Sequence, residues 1–177
     1  KTDCRLKMVL EQRMTRAAAE QVAGAPLPML ARLIGKCLLQ FQPADERYQV
    51  HEVLRQYVQE KLANSGSLDN ARQRHFVYYQ TLAETATAHL FGAEQIAWLD
   101  RLEAEHDNLR AALTWGLVQP GMAEAVAQLV IALAWFWRIR SHVLEGLIWL
   151  EQALSLPDLA TATRAGLLYH AGHLAWM

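Results

Sequence analysis

Apolar residues recur at helical spacing along almost the whole chain, with one short exception. Residues 4–12 carry a brief helical pattern. Thr15 is placed to cap a helix through Ala17, Ala18, Ala19 and Val22, and Gly24 to end it. Pro26 and Pro28 open the next helix, which carries Met29, Leu30, Leu33 and Ile34 and closes near Gly35. The period then changes. Residues 37–41 read as a strand, 42–46 as a polar turn, and 47–50 alternate polar and apolar as a half-buried strand does. His51 opens a further helix carrying Val53, Leu54, Tyr57, Val58 and Leu62, and residues 64–67 break it. Beyond that point the pattern is helical throughout. It predicts helices near 68–90, 94–104, 107–118, 122–139, 142–154 and 159–177, with breaks at Gly92, Pro120-Gly121 and Pro157. The division at 105–107 is the least defined, because Asp107 fits either a cap or the interior of one longer helix.

Helix, helix, hairpin, helix is the order of the later part of a winged helix. The pattern therefore predicts a mainly α chain: a partial winged helix with one small β-hairpin over 1–64, then a TPR-like antiparallel helical array over 65–177. The array reading rests on alternating large and small positions between 130 and 157. Ala134 and Gly146 provide places where helices approach closely, Trp137 and Leu150 fill the spaces beside them, and Ala153 and Pro157 close the unit. Ala171-Gly172 reads as the start of another unit. All six tryptophans lie after residue 97, so an ordinary tryptophan-rich bundle is the competing reading. The run 129–139 is apolar nearly all round and calls for cover on more than one side.

Composition narrows the function classes. Hydrophobic residues make up 53% of the 177 and charged residues 20%, enough apolar material for a real core. The 17 Lys and Arg balance 18 Asp and Glu, and the turn at 43–46 is acidic, which argues against direct DNA contact by this chain. The best membrane candidate, 122–139, carries Glu124 and Gln128 and is short for a span, so no membrane partner is expected. Cys4 and Cys37 have no CxxC spacing, and no signal peptide opens the chain; both points suit a cytoplasmic protein. The chain starts without Met and stops within a helical pattern, as a piece of a longer protein would.

Catalytic motifs are missing. Gly35-Lys36 is followed by Cys37, and Leu30 stands where the first glycine of a phosphate loop belongs. His51-Glu52 begins a zinc-protease pattern, but Arg55 replaces its second histidine. His170 and His173 share a helix turn without an evident third ligand, and Glu103 and Glu105 read as a solvated charged face. No catalytic residue and no metal ligand is assigned.

The segment 47–62, RYQVHEVLRQYVQEKL, resembles the end of the winged-helix domain in STAND-type signalling ATPases, the nucleotide-switch proteins that include the NB-ARC group and bacterial transcriptional regulators. The likeness extends to 18–24 and 33–39. Downstream, WLDRLEAEHDNLRAAL at 98–113 is similar to the helices that follow in bacterial ATPases of this class, often fused to LuxR-type DNA-binding domains. The resemblance implies that Val50, His51 and Glu52 match a hydrophobic-His-acid triplet whose histidine contacts the β-phosphate of ADP. An imidazole at a helix start suits an anionic phosphate. Many members carry Asp where Glu52 stands. On this reading the chain is a non-catalytic regulatory module with no cofactor of its own. ATP or ADP would sit on an upstream nucleotide-binding domain, and an inducer or protein ligand would bind the helical array. A free-standing helical adapter and a DNA-binding winged helix are the alternatives.

Overall fold

The computed structural model describes residues 13–50 and 68–176. Among them are eight helices and one two-stranded antiparallel hairpin, so the chain is mainly α as its hydrophobic pattern predicts. The contacts divide it into two compact units, 1–78 and 79–177.

In the first unit, α1 (Arg16–Ala23) starts at Thr15, whose Oγ1 accepts from the Ala18 amide at 3.2 Å. It stops at Gly24, which takes the left-handed φ of 64° that a side chain resists. The Gly24 and Ala25 amides turn back onto the Glu20 and Ala19 carbonyls. Arg74 Nε donates to the Val22 carbonyl at 2.8 Å, satisfying another group that the helix end exposes. Helix α2 (Leu27–Gly35) opens with Pro26 at its cap and Pro28 in its first turn, as expected. Cys37 then turns the chain at φ 53°, so strand β1 (Leu39–Gln42) begins two residues later than the sequence pattern suggests. Strand β2 (Arg47–Val50) pairs with it in the register Leu39 to Val50 and Phe41 to Tyr48. Met14 bridges to Tyr48 from outside the hairpin. Ala18, Ala19, Val22, Leu30, Leu33, Leu39, Tyr48 and Val50 close one apolar core, which Ala71 of α3 (Leu68–Thr87) joins.

The second unit holds the rest of α3 together with α4 (Gln95–Ala104), α5 (His106–Leu117), α6 (Ala123–Ile139), α7 (Val143–Leu154) and α8 (Thr161–Ala175). The uncertain division falls at Glu105, and Asp107 lies in the first turn of α5. Helix α6 packs against α5, α7 and α8, and α7 packs against α8. The buried residues of α6 run from Val126 to Trp137 around most of its circumference, while Gln128 is exposed and Ile131 and Trp135 are half-buried along the remaining stripe, so the apolar run is covered on more than one side. Gly146 is a point of very close approach: a Cβ there would lie 2.7 Å from Leu174 Cδ2 and 3.0 Å from Trp137 Cβ. Ala134, Trp137, Leu150 and Ala153 are all buried around it. Gly172 faces open space, whereas Gly166 is the glycine of α8 that meets a neighbour, Ile131 of α6. None of the described helices is long and apolar enough to cross a membrane.

Candidate functional site

Polar side chains gather in the second unit where α4 turns into α5 and α6 turns into α7. His106 is the first residue of α5, and His142 immediately precedes α7. Their rings lie 4.5 Å apart between centroids, against the ring of Phe136. His106 Nε2 lies 3.0 Å from Glu145 Oε1, and His142 Nε2 lies 3.1 Å from both carboxylate oxygens of Glu103. Glu145 in turn accepts from Arg110 Nε at 2.8 Å, from Arg110 Nη2, and from Trp149 Nε1 at 3.2 Å. One ligating atom from each of Glu103, His106 and His142 falls within 4.8 Å of the other two, the one such group of three among the described residues.

The electrostatics follow from partial burial. Burial pulls the His106 pKa below its ordinary value and outweighs the nearby Glu145 charge. For Glu145 burial acts to raise the pKa, but the hydrogen bonds from Arg110 and Trp149 and the adjacent positive charge together bring it down to about 2. The hydrogen bond to Glu145 raises the Arg110 pKa in the same exchange. Arg110 and Glu145 are thus a two-pronged ion pair joining α5 to α7.

A second polar knot lies beside this corner. Glu105 is 3% exposed, and its Oε2 accepts from Tyr79 Oη at 3.0 Å and from Asn108 Nδ2 at 2.7 Å. The expectation of a solvated acidic face therefore fails at Glu105, because the helix break turns that side chain inward. Glu103 keeps a large exposed fraction. A third carboxylate, Glu124, starts α6 and reaches the start of α8, accepting from Thr163 Oγ1 and from the Ala160 amide at 3.2 Å. Those bonds, Thr163 foremost, lower its pKa.

His51 and Glu52 lie outside the described residues, as does Cys4; Val50 is buried in β2 and pairs with Leu39. His170 and His173 do share a face of α8. His173 stacks parallel to Tyr169, and Arg138 Nη1 reaches its ring, while His170 packs edge-on to Trp135 and Tyr169. They are packing residues of the α6–α8 contact. The His106–His142 corner went unread in the sequence. Its signal was present as Glu103-x-x-His106 and His142-x-x-Glu145, two helix-spaced acid–histidine pairs, but nothing local says that the two segments meet.

The geometry defines a helical array stitched by polar corners. Comparison with known proteins finds a partial likeness to proteins that carry the name of transcriptional regulators. Proteins from Mycobacterium bovis and from two strains of Mycobacterium tuberculosis, each provisionally named an HTH-type transcriptional regulator, are 38% identical to this chain over 108 residues. That stretch is 61% of this chain and only 12% of each relative, so the chain corresponds to a small part of those proteins. No family profile matches the chain, and no solved structure matches it.

Proposed function

We propose that this chain is a regulatory and interaction module of a larger transcription regulator of the STAND class. Its first unit would be the end of a winged helix that clamps an upstream nucleotide-binding domain, and its second a TPR-like array that receives an inducer or protein ligand. The observation that carries this reading is the arrangement in the second unit. Helix α7 packs on α6 and α8 at Gly146, and α8 packs on α6 at Gly166, small-residue contacts of the kind that stacked helical repeats use. The helix, helix, hairpin order of the first unit and the names of the mycobacterial relatives support it. Regulation requires the ligand to bind one state of the array better than the other.

The test uses the intact parent protein. Purified in its resting state, it should carry ADP, and His51→Ala should speed ADP release. Release at the unchanged rate would remove the role assigned to His51. A parent lacking a phosphate loop upstream would remove the nucleotide switch altogether.

A further inference from the structure

We propose that Glu103, His106 and His142 form a binding site for a divalent transition-metal ion of the zinc type. The three donors come from the last turn of α4, the first residue of α5 and the residue that opens α7, so a metal here would tie two corners of the array together. Two imidazoles and one carboxylate are a borderline nitrogen–oxygen set. It suits zinc, cobalt or nickel and not the oxygen-seeking calcium or magnesium. Zinc bonds of about 2.0–2.2 Å require donors roughly 3.2–3.6 Å apart. His142 and Glu103 already stand at 3.1 Å, and the exposed Glu103 side chain is free to adjust its rotamer toward His106.

The surroundings favour a metal over a purely structural pair of ion pairs. A salt bridge at each histidine would be satisfied with the rings apart, yet the two rings stand 4.5 Å apart between centroids, tilted by 48°, and bring one nitrogen each and a Glu103 oxygen within 4.8 Å of one another. Glu145 acts as a positioning residue. Held by three hydrogen bonds from Arg110 and Trp149, it fixes the His106 ring through Nε2, the outer-sphere carboxylate contact that orients ligating histidines in metal sites. Three protein donors leave at least one coordination position for water or a ligand atom. Binding takes neutral imidazoles, so any proton they carry is released to solvent.

The experiment is a calorimetric titration of the full chain with Zn2+ in a weakly coordinating buffer, repeated with Co2+, whose visible absorption reports the donor set. The expected result is one ion per chain, with binding weakened at least about tenfold in His142→Gln and in Glu103→Gln. The double variant His170→Gln/His173→Gln should bind as the unchanged chain does. Both Glu103 and His142 are partly exposed, so Glu103→Gln still reads the site if His142→Gln disturbs folding, which circular dichroism checks. No uptake of either metal overturns the proposal. So does uptake that survives both single variants, or uptake lost in the His170/His173 variant, because the ion would then reside elsewhere. None of these outcomes depends on nucleotide binding, so failure here is separable from failure of the switch reading.

Discussion

Replacing Gly146 with alanine adds one methyl group at the closest approach that any glycine of α7 or α8 makes. The new Cβ would lie 2.7 Å from Leu174 Cδ2, 3.0 Å from Trp137 Cβ and 3.1 Å from Trp137 Cε3, where ordinary contact begins at 3.4 Å. Leu174 presents the end of a flexible side chain and can yield. The Trp137 Cβ is anchored to the backbone of α6 and cannot, so α6 and α7 must separate. Overpacking of this kind costs about 1–3 kcal/mol. Alanine also gains about 1 kcal/mol over glycine as a helix former. The net expectation is a loss of up to about 2 kcal/mol, a fall in Tm of a few degrees for a chain of this size. Gly172→Ala is the control. It too is helical but has no heavy atom within 4 Å of the added carbon, so it should gain up to about 1 kcal/mol. Gly166→Ala, meeting the movable Ile131 Cδ1 at 3.1 Å, should fall between the two.

All six tryptophans lie in the second unit, so urea unfolding followed by tryptophan fluorescence reads that unit by itself. The order of stability should be Gly172→Ala, then Gly166→Ala, then Gly146→Ala. A Gly146→Ala chain as stable as the Gly172→Ala chain would refute the close-approach argument and with it the main support for a repeat-like stack.

Other perturbations test separate parts of the structure. Thr15→Ala should cost the first unit about 0.5–2 kcal/mol by removing the α1 cap, and Gly24→Ala about 1–2 kcal/mol through its positive φ; hydrogen exchange of the α1 amides would show both. Tyr79→Phe should destabilise the second unit by about 1–3 kcal/mol, since the buried Glu105 loses a donor; an unchanged urea midpoint would show that bond to be idle. His170 has its pKa lowered by burial and then by the adjacent His173, amid Trp135, Tyr169 and Arg138. Its folded state therefore holds fewer protons than the unfolded chain. The resulting stability is present above pH ~6.5 and declines as pH falls through that value, so His170→Gln should show a shallower acid-side loss than the unchanged chain.

The hydrophobic pattern carried most of the fold because most of the chain is helix with a periodic buried face. The cap at Thr15, the stop at Gly24, the hairpin and the boundaries of α6 and α7 all follow from local rules. Gly146 was legible for a related reason: a glycine inside a strongly apolar helix needs a packing cause. Cys37 was misplaced because its positive φ comes from the chain's exit from α2, a geometric need that no apolar period records. The candidate site was illegible because its halves are 39 residues apart, as in the contacts of His106 with Glu145 and of Glu103 with His142. Glu105 was misjudged because a one-residue break rotates the following helix, and a carboxylate that would face water on a continuous helix is turned under Tyr79.

Glu105, Glu124 and Glu145 then share one physical role. Apolar packing between helices is non-directional, so it stabilises neighbouring registers almost equally. Each of these acids sits at a helix end and accepts hydrogen bonds from a different helix: Glu105 from α3, Glu145 from α5, Glu124 from the start of α8. A slip of α3 against the α4–α5 corner would leave the buried Glu105 without its Tyr79 donor, at about 1–3 kcal/mol, and the more exposed contacts of Glu145 and Glu124 add direction to their own corners. The corners therefore select the register that the apolar layers only permit. The Glu103–His106–His142 corner lies among these contacts, with Glu105 next to His106 in sequence and Glu145 against its ring, so a change of charge at that corner acts on the directional bonds and not on the apolar interior.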